Sequence, residues 1–142
     1  MRADRWRHGF TSLAVALTLA GCAGSASAPV RATPMAISDV ASVAGKWSGL
    51  LELEGSKDPD EFIELTVDRE GSYKATASRT IGLLEAQGKI ALADGKLRLQ
   101  GLKGGTATGT LYAQPSSPDR SLLVEGATQS GRRFSARLKP GS

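Results

Sequence analysis

Side chains capable of covalent or metal chemistry are scarce in this chain of 142 residues. Histidine occurs once, as His8, and cysteine occurs once, as Cys22, so both lie near the amino terminus. A Ser-His-Asp triad, a Cys nucleophile, a zinc site of His and Cys, and haem ligation by His all need residues that the rest of the chain lacks. We therefore predict that the main domain is not an enzyme and holds no cofactor or metal.

Acidic residues offer two weaker kinds of site. Asp58, Asp60 and Glu61 surround a proline, and such oxygen ligands could bind Ca²⁺. Their spacing is irregular and Lys57 is adjacent, so we interpret them as a solvated loop. A glycoside hydrolase needs two carboxylates at a set separation in one cleft. Three other glutamates alternate onto a polar face instead: Glu52, Glu54 and Glu64.

Basic residues give no stronger indication of a site. Arg132-Arg133, at a predicted hairpin tip, could contact anionic headgroups or polysaccharide. Charge at turns and edges also opposes aggregation of β proteins, and we prefer that interpretation.

Two further kinds of function have no support in the sequence. No motif indicates a catalytic Ser–Lys dyad. The formal net charge is +4, without a run of Lys and Arg interleaved with aromatics, so we predict no nucleic-acid partner.

The first 21 residues have the pattern of a secretory signal. Arg2, Arg5 and Arg7 precede an uncharged stretch from Gly9 to Ala20, and a basic segment before a short apolar one is typical of export. As a helix this stretch would be about 18 Å long, against roughly 30 Å for a hydrocarbon core. We therefore do not expect a transmembrane anchor here.

The signal ends in Leu19-Ala20-Gly21-Cys22, which resembles the lipobox of bacterial lipoproteins. In that class a diacylglycerol is attached to the cysteine sulfur, signal peptidase II cleaves before the cysteine, and the new amino terminus is acylated, typically with palmitate. Lipidation of Cys22 would make the membrane a partner of the chain. Ala23 implies sorting to the outer membrane, facing the periplasm. The alternative is an ordinary signal peptide, cleaved after Ala-Ser-Ala at 26–28.

The sequence divides into a signal peptide at 1–21, a lipidated flexible tether at 22–37 and a β domain at 38–142. The tether is small, polar and punctuated by proline. Ser38-Asp39 offers an N-cap for a short helix over 40–44, which ends at Gly45. Cleavage before Cys22 removes three arginines and one aspartate, so the net charge falls from +4 to about +2.

From Gly45 onward the apolar residues recur at every second position. Eight such segments predict eight amphipathic strands, and Glu70-Gly71, Asp94-Gly95 and Ser130-Gly131 lie between them at hairpin spacing. Thr80–Leu84 lacks alternation and fits either a turn or a continuing strand. A sheet of twisted strands with one apolar face closes into a barrel, because closure leaves no unpaired edge strand. We predict a small all-β fold, an eight-stranded antiparallel up-and-down barrel, with a two-sheet β-sandwich as the alternative.

Gly45-Lys46-Trp47, followed by Ser48-Gly49, resembles the Gly-x-Trp opening strand of the lipocalin and avidin-like barrels. The resemblance implies that Trp47 closes the barrel floor beneath the short helix at 38–44; the alternative is that Trp47 is an ordinary core residue. Some lipid-anchored protease inhibitors of the bacterial envelope begin similarly, so inhibition of an envelope or secreted enzyme is one further interpretation.

Small side chains make up much of the predicted inward face. The barrel is therefore either narrow and filled or has a cavity for an apolar ligand. We expect a filled core, and hence a lipid-anchored envelope protein that binds a protein partner or supports envelope structure. The alternative is a lipocalin-like binder of a small apolar ligand. The small inward residues are Ala75, Ala77, Ala86, Gly88, Ala107, Gly109, Gly126 and Ala136.

Overall fold

The computed structural model describes residues 32–57, 61–79, 82–114 and 117–141. The predicted signal peptide, Cys22 and most of the predicted tether lie outside these residues, as do Asp58 and Asp60. Within the described ranges no helix has the length and hydropathy that a bilayer span requires.

Nine strands and one short 3₁₀ helix make up the described fold. The strands after the first follow the alternation read from the sequence, except in parts of β5, and short connections join most neighbours. The elements are β1 (Thr33–Met35), the 3₁₀ helix (Val40–Val43), β2 (Gly45–Leu53), β3 (Glu61–Val67), β4 (Ser72–Arg79), β5 (Gly82–Ala93), β6 (Lys96–Gly101), β7 (Thr106–Ala113), β8 (Arg120–Ala127) and β9 (Arg133–Pro140).

Strands β2 to β9 form a closed antiparallel barrel. Each pairs with the next along the chain, and β9 returns to pair with β2, where Gly49 lies opposite Leu138. Closure gives each of these strands two neighbours and so removes the sheet edges along most of their length. The predicted eight-stranded barrel is confirmed, and the sandwich alternative is wrong.

Strand β1 is an addition to the predicted barrel. It pairs with the carboxyl end of β7, with Met35 opposite Leu111, beyond the point where β6 begins. These residues belong to the predicted tether because their segment is small, polar and punctuated by proline. Their order comes from backbone pairing and from Ile37, which is buried and donates its N–H to the Gly95 carbonyl at 2.8 Å.

One end of the barrel, called the floor here, is closed by the 3₁₀ helix and Trp47. Asp39 caps the helix through a hydrogen bond from the Ala41 N–H at 3.2 Å. The Trp47 side chain is 2% exposed, and its Nε1 donates to the Val43 carbonyl at 2.8 Å. The Arg120 guanidinium lies 5.9 Å from the Trp47 ring centroid. The predicted short helix is therefore present, and Trp47 packs directly against it.

The β5–β6 hairpin lies at the floor and has the turn that the sequence predicts. Asp94 and Gly95 have φ angles of 54° and 69°, the left-handed pair required by a type I′ turn. Glycine also takes a positive φ in the other two predicted hairpins, at Gly71 and Gly131. The turn residues thus set the strand register that places the inward side chains.

The buried core matches the predicted inward face at most positions. Two predicted inward residues of β5 are exposed, namely Ala86 and Leu92. Gly88 is the last residue of β5 that pairs with β6. Ala86 lies beyond this point, where β6 no longer covers β5, and is therefore exposed. The buried strand residues include Leu65, Val67, Ile90, Leu97, Leu99, Leu111, Leu122, Val124, Ala136 and Leu138.

Candidate binding cavity

Large side chains fill the barrel unevenly along its axis. The largest fully buried ones are Trp47, Leu97, Leu122, Leu138 and Val43, and all of them lie toward the floor. At the opposite end, called the mouth here, the inward positions carry alanine and glycine on several strands. The interior is therefore packed at one end and short of side-chain volume at the other.

A cavity of about 580 Å³ occupies the mouth half of the barrel. Its wall is formed by inward residues of several strands, among them Leu51, Ile63, Ala75, Leu99 and Phe134. The expectation of a filled core is therefore wrong for this half. Alternation predicts which side chains point inward, but their summed volume is too small for the space that eight closed strands enclose.

The mouth is bordered by polar and charged side chains on two connections. Lys103 lies on the β6–β7 loop, and Gln129 and Arg132 lie on the β8–β9 turn; all three line the cavity. The β6–β7 loop is closed by a hydrogen bond from the Gly101 N–H to the Gly105 carbonyl at 3.1 Å. The cavity thus has apolar walls and a polar rim, which is the usual make-up of a small-molecule pocket.

Part of the cavity wall is formed by β5 beyond the end of β6 and by the β6–β7 loop. Residues 82–87 of β5 pair with β4 alone, because β6 ends at Gly101 opposite Gly88. In this gap the Leu102 N–H donates to the Gln87 carbonyl at 2.9 Å, and Leu102 is 67% exposed. Strand β5 begins at Gly82, so the Thr80–Leu84 segment belongs in part to a continuing strand; residues 80–81 lie outside the described chain.

Tyr73 is the main polar group inside the wall. Its ring fills the space above Gly88, its cross-strand neighbour, where a Cβ would come within 2.8 Å of the ring. Burial raises the pKa of the Tyr73 phenol above its usual value, because the charged form is poorly solvated there. No described residue hydrogen-bonds the phenol hydroxyl, so it is available to a ligand.

The other residues singled out from the sequence do not form a second centre. Glu52 and Glu54 are exposed, and Glu64 forms an ion pair with Lys46 at 3.8 Å. Glu61 lines the cavity mouth. Among the described residues no three His, Cys, Asp or Glu side chains are grouped as metal ligands.

The two arginines at the predicted hairpin tip have different positions. Arg132 lines the mouth and donates to the Glu54 carbonyl at 3.1 Å, whereas Arg133 is exposed at the start of β9. The sequence singled out this pair for its charge alone. The cavity beneath Arg132 had one indication in the sequence, the number of small residues on the inward face.

A broad depression on the outer surface of β5 to β9 and β2 is wider than the cavity but open to solvent. Much of its lining consists of outward-facing polar side chains such as Glu52, Arg98 and Glu125. Arg98 donates to the Thr108 hydroxyl at 2.9 Å, so part of this polar surface is internally satisfied. We regard the cavity inside the barrel as the better candidate because its wall is more apolar and less open to solvent.

Comparison with known proteins gives a likeness of fold. No family model matches the chain, and no curated protein matches it. A solved structure of a redesigned β-barrel superimposes with a TM-score of 0.50 at 15% sequence identity, covering 75% of this chain and 97% of that one. The chain is therefore similar to that barrel in its architecture.

Proposed function

We propose that this chain is a lipid-anchored protein of the bacterial envelope whose barrel binds a small apolar ligand. The observation that carries the binding proposal is the cavity of about 580 Å³ in the mouth half. Pockets for small molecules usually measure about 300–1,000 Å³ and combine apolar walls with a few polar groups. The cavity has both properties, so the apolar-ligand alternative is favoured over the filled-core interpretation.

The wall chemistry supports an apolar ligand rather than a sugar or a reactive substrate. Leucine, isoleucine, alanine and Phe134 form most of the inner surface, with Tyr73 as an added hydroxyl. Burial of alkyl surface is worth about 0.8 kcal/mol per methylene, so the wall can hold a chain without strong polar contacts. We therefore propose binding or carriage, without chemistry, as the role of the barrel.

The amino-terminal segment is the basis for the proposed anchoring and location. Support comes from the Leu19-Ala20-Gly21-Cys22 motif and the basic and apolar segments before it. Lipid attachment at Cys22 would hold the barrel at a membrane surface, and two or more acyl chains make such a hold stable. We propose the outer membrane as that surface, with the barrel facing the periplasm.

Titration with N-phenyl-1-naphthylamine, an uncharged fluorescent probe, tests the binding proposal. We expect saturable binding of one probe per barrel. Ala75→Leu adds volume inside the cavity and should weaken binding at least tenfold, a change of about 1.4 kcal/mol. Ala91→Leu makes the same change at an exposed position of β5 and should leave binding unchanged. Absence of saturable binding, or equal binding by a folded Ala75→Leu variant, would refute the proposal.

A second candidate function, docking of a protein partner, is favoured by one apolar pair on the outer surface. Leu50 and Phe62 are direct cross-strand neighbours on β2 and β3 and are 52% and 53% exposed. Adjacent exposed apolar side chains of this size are typical of contact surfaces. Phe62→Lys should abolish co-purification of an envelope partner while leaving probe binding intact; co-purification unchanged by the variant would exclude this surface.

A further inference from the structure

Cationic side chains are concentrated on one side of the cavity mouth. Lys103 and Arg132 lie on two connections that touch, since a side chain added at Gly104 would come within 3.3 Å of Gln129. Both residues line the cavity and both are exposed. Two positive charges therefore lie on touching connections at the rim of the cavity.

No carboxylate of the described chain neutralises these two cations. The ion pairs formed by lysine and arginine in the described chain involve Lys46, Lys74 and Arg98. Lys103 forms no ion pair with a described residue, and Arg132 donates a hydrogen bond to the uncharged Glu54 carbonyl. Within the described ranges, neither of these positive charges is therefore offset by an ion pair.

The acidic residues that line the cavity are placed elsewhere. Glu85 is paired with Lys74 at 3.5 Å, so these two charges offset each other. Glu61 is on β3; the strand order places β4 and β5 between it and the β6–β7 loop, and β2 between it and β9. Among the described lining residues, the β6–β7 and β8–β9 connections therefore contribute cations and no carboxylate.

We propose that the ligand is a single-chain amphiphile with an anionic headgroup. Its alkyl chain would lie between the apolar walls, and its headgroup between Lys103 and Arg132 at the rim. This inference rests on the proposed function, because it assigns a headgroup to a ligand whose chain the cavity already accommodates. A carboxylate is the simplest such headgroup, and Arg132 can hold it with two parallel hydrogen bonds.

Three probes with the same alkyl chain and different headgroups separate the contributions of chain and headgroup to the affinity. Dodecanoate, 1-dodecanol and dodecyltrimethylammonium are titrated calorimetrically into the full chain below their micelle concentrations. We expect dodecanoate to bind about tenfold more tightly than dodecanol, and the cationic probe to bind most weakly. The advantage of dodecanoate should shrink as salt is added, because the headgroup contacts are solvent-exposed.

Charge-neutralising variants test the assigned residues. Lys103→Gln and Arg132→Gln should each weaken dodecanoate binding about threefold or more, and the double variant should bind dodecanoate no better than dodecanol. Dodecanol binding should stay the same in all of them. Lys96→Gln removes an equal charge at the floor end of β6 and should change neither affinity.

The outcomes distinguish this inference from the proposed function. If dodecanoate and dodecanol bind equally, or if the double variant keeps the preference for dodecanoate, the headgroup assignment is wrong and the apolar site stands. If none of the three probes binds, the proposed function itself is wrong.

Discussion

Trp47 and Ala75 both project into the barrel, but their side chains differ greatly in volume. The interior differs in the same way between its two ends, being filled at the floor and unfilled near the mouth. Trp47 is buried against Val43 and completes the packed floor. Ala75 is half-buried and leaves the wall of the cavity open near the mouth. Since interiors are normally packed to crystal-like density, the unfilled volume at one end of so small a domain is the feature on which the proposed binding function rests.

Truncation of Trp47 should show how far stability depends on the floor. Trp47→Ala removes a buried ring and should lower the free energy of unfolding by about 3–5 kcal/mol. Trp47→Phe keeps most of the apolar contact but leaves the Val43 carbonyl without its donor, so we expect a smaller loss of about 1–3 kcal/mol. Urea denaturation measures both, and a Trp47→Ala midpoint equal to the wild-type midpoint would mean that the ring is not part of the core.

At the scale of elements, closure of the barrel depends on places where one strand passes very close to the next. A Cβ added at Gly49, Gly88 or Gly126 would collide with a backbone carbonyl of the neighbouring strand: Arg137, Gln100 and Thr106, respectively. Glycine within a strand is typical of tight bends in barrels. These three residues therefore let the strands curve enough to close.

Gly88→Ala tests this role of glycine. The added methyl group meets the Gln100 carbonyl and the Tyr73 ring, neither of which can move without disturbing the β5–β6 pairing. We expect a loss of about 3 kcal/mol or failure to fold. Gly109→Ala is the matched control, since the atoms nearest its Cβ belong to the side chains of Leu97 and Leu122, at 3.2 Å and beyond, and not to the backbone; these side chains need to shift by only a few tenths of an ångström, so its loss should be about 1 kcal/mol. Equal losses by thermal or urea unfolding would contradict this account.

Much of the barrel, but little of the site, can be predicted from the sequence. Alternation in segments such as Ile63–Val67 predicts strands because one sheet face is buried, and Asp94-Gly95 predicts its turn because few residues accept a positive φ. Strand β1 has no such pattern, since its order comes from pairing with β7. The cavity depends on barrel width as well as on residue size, and periodicity carries no information about width.

At the scale of the whole molecule, the barrel and its attachment can be tested separately. When the full chain is expressed in a bacterium, Cys22→Ala should abolish incorporation of labelled palmitate and leave the chain at precursor size. Ala28→Asp blocks the alternative cleavage after residues 26–28 and should leave both labelling and size unchanged. Palmitate labelling of the Cys22→Ala variant at the wild-type level would refute lipid attachment at this residue.

The direction in which the chain leaves the barrel has a consequence for exchange of a ligand. Strand β1 runs beside the end of β7 at the floor, and the residues between Cys22 and Thr33 can reach about 40 Å at most. If the chain is fastened through Cys22, its attachment point and the mouth of the cavity lie at opposite ends of the barrel. Under the proposed function, a ligand would therefore enter and leave at the end that the tether does not obstruct.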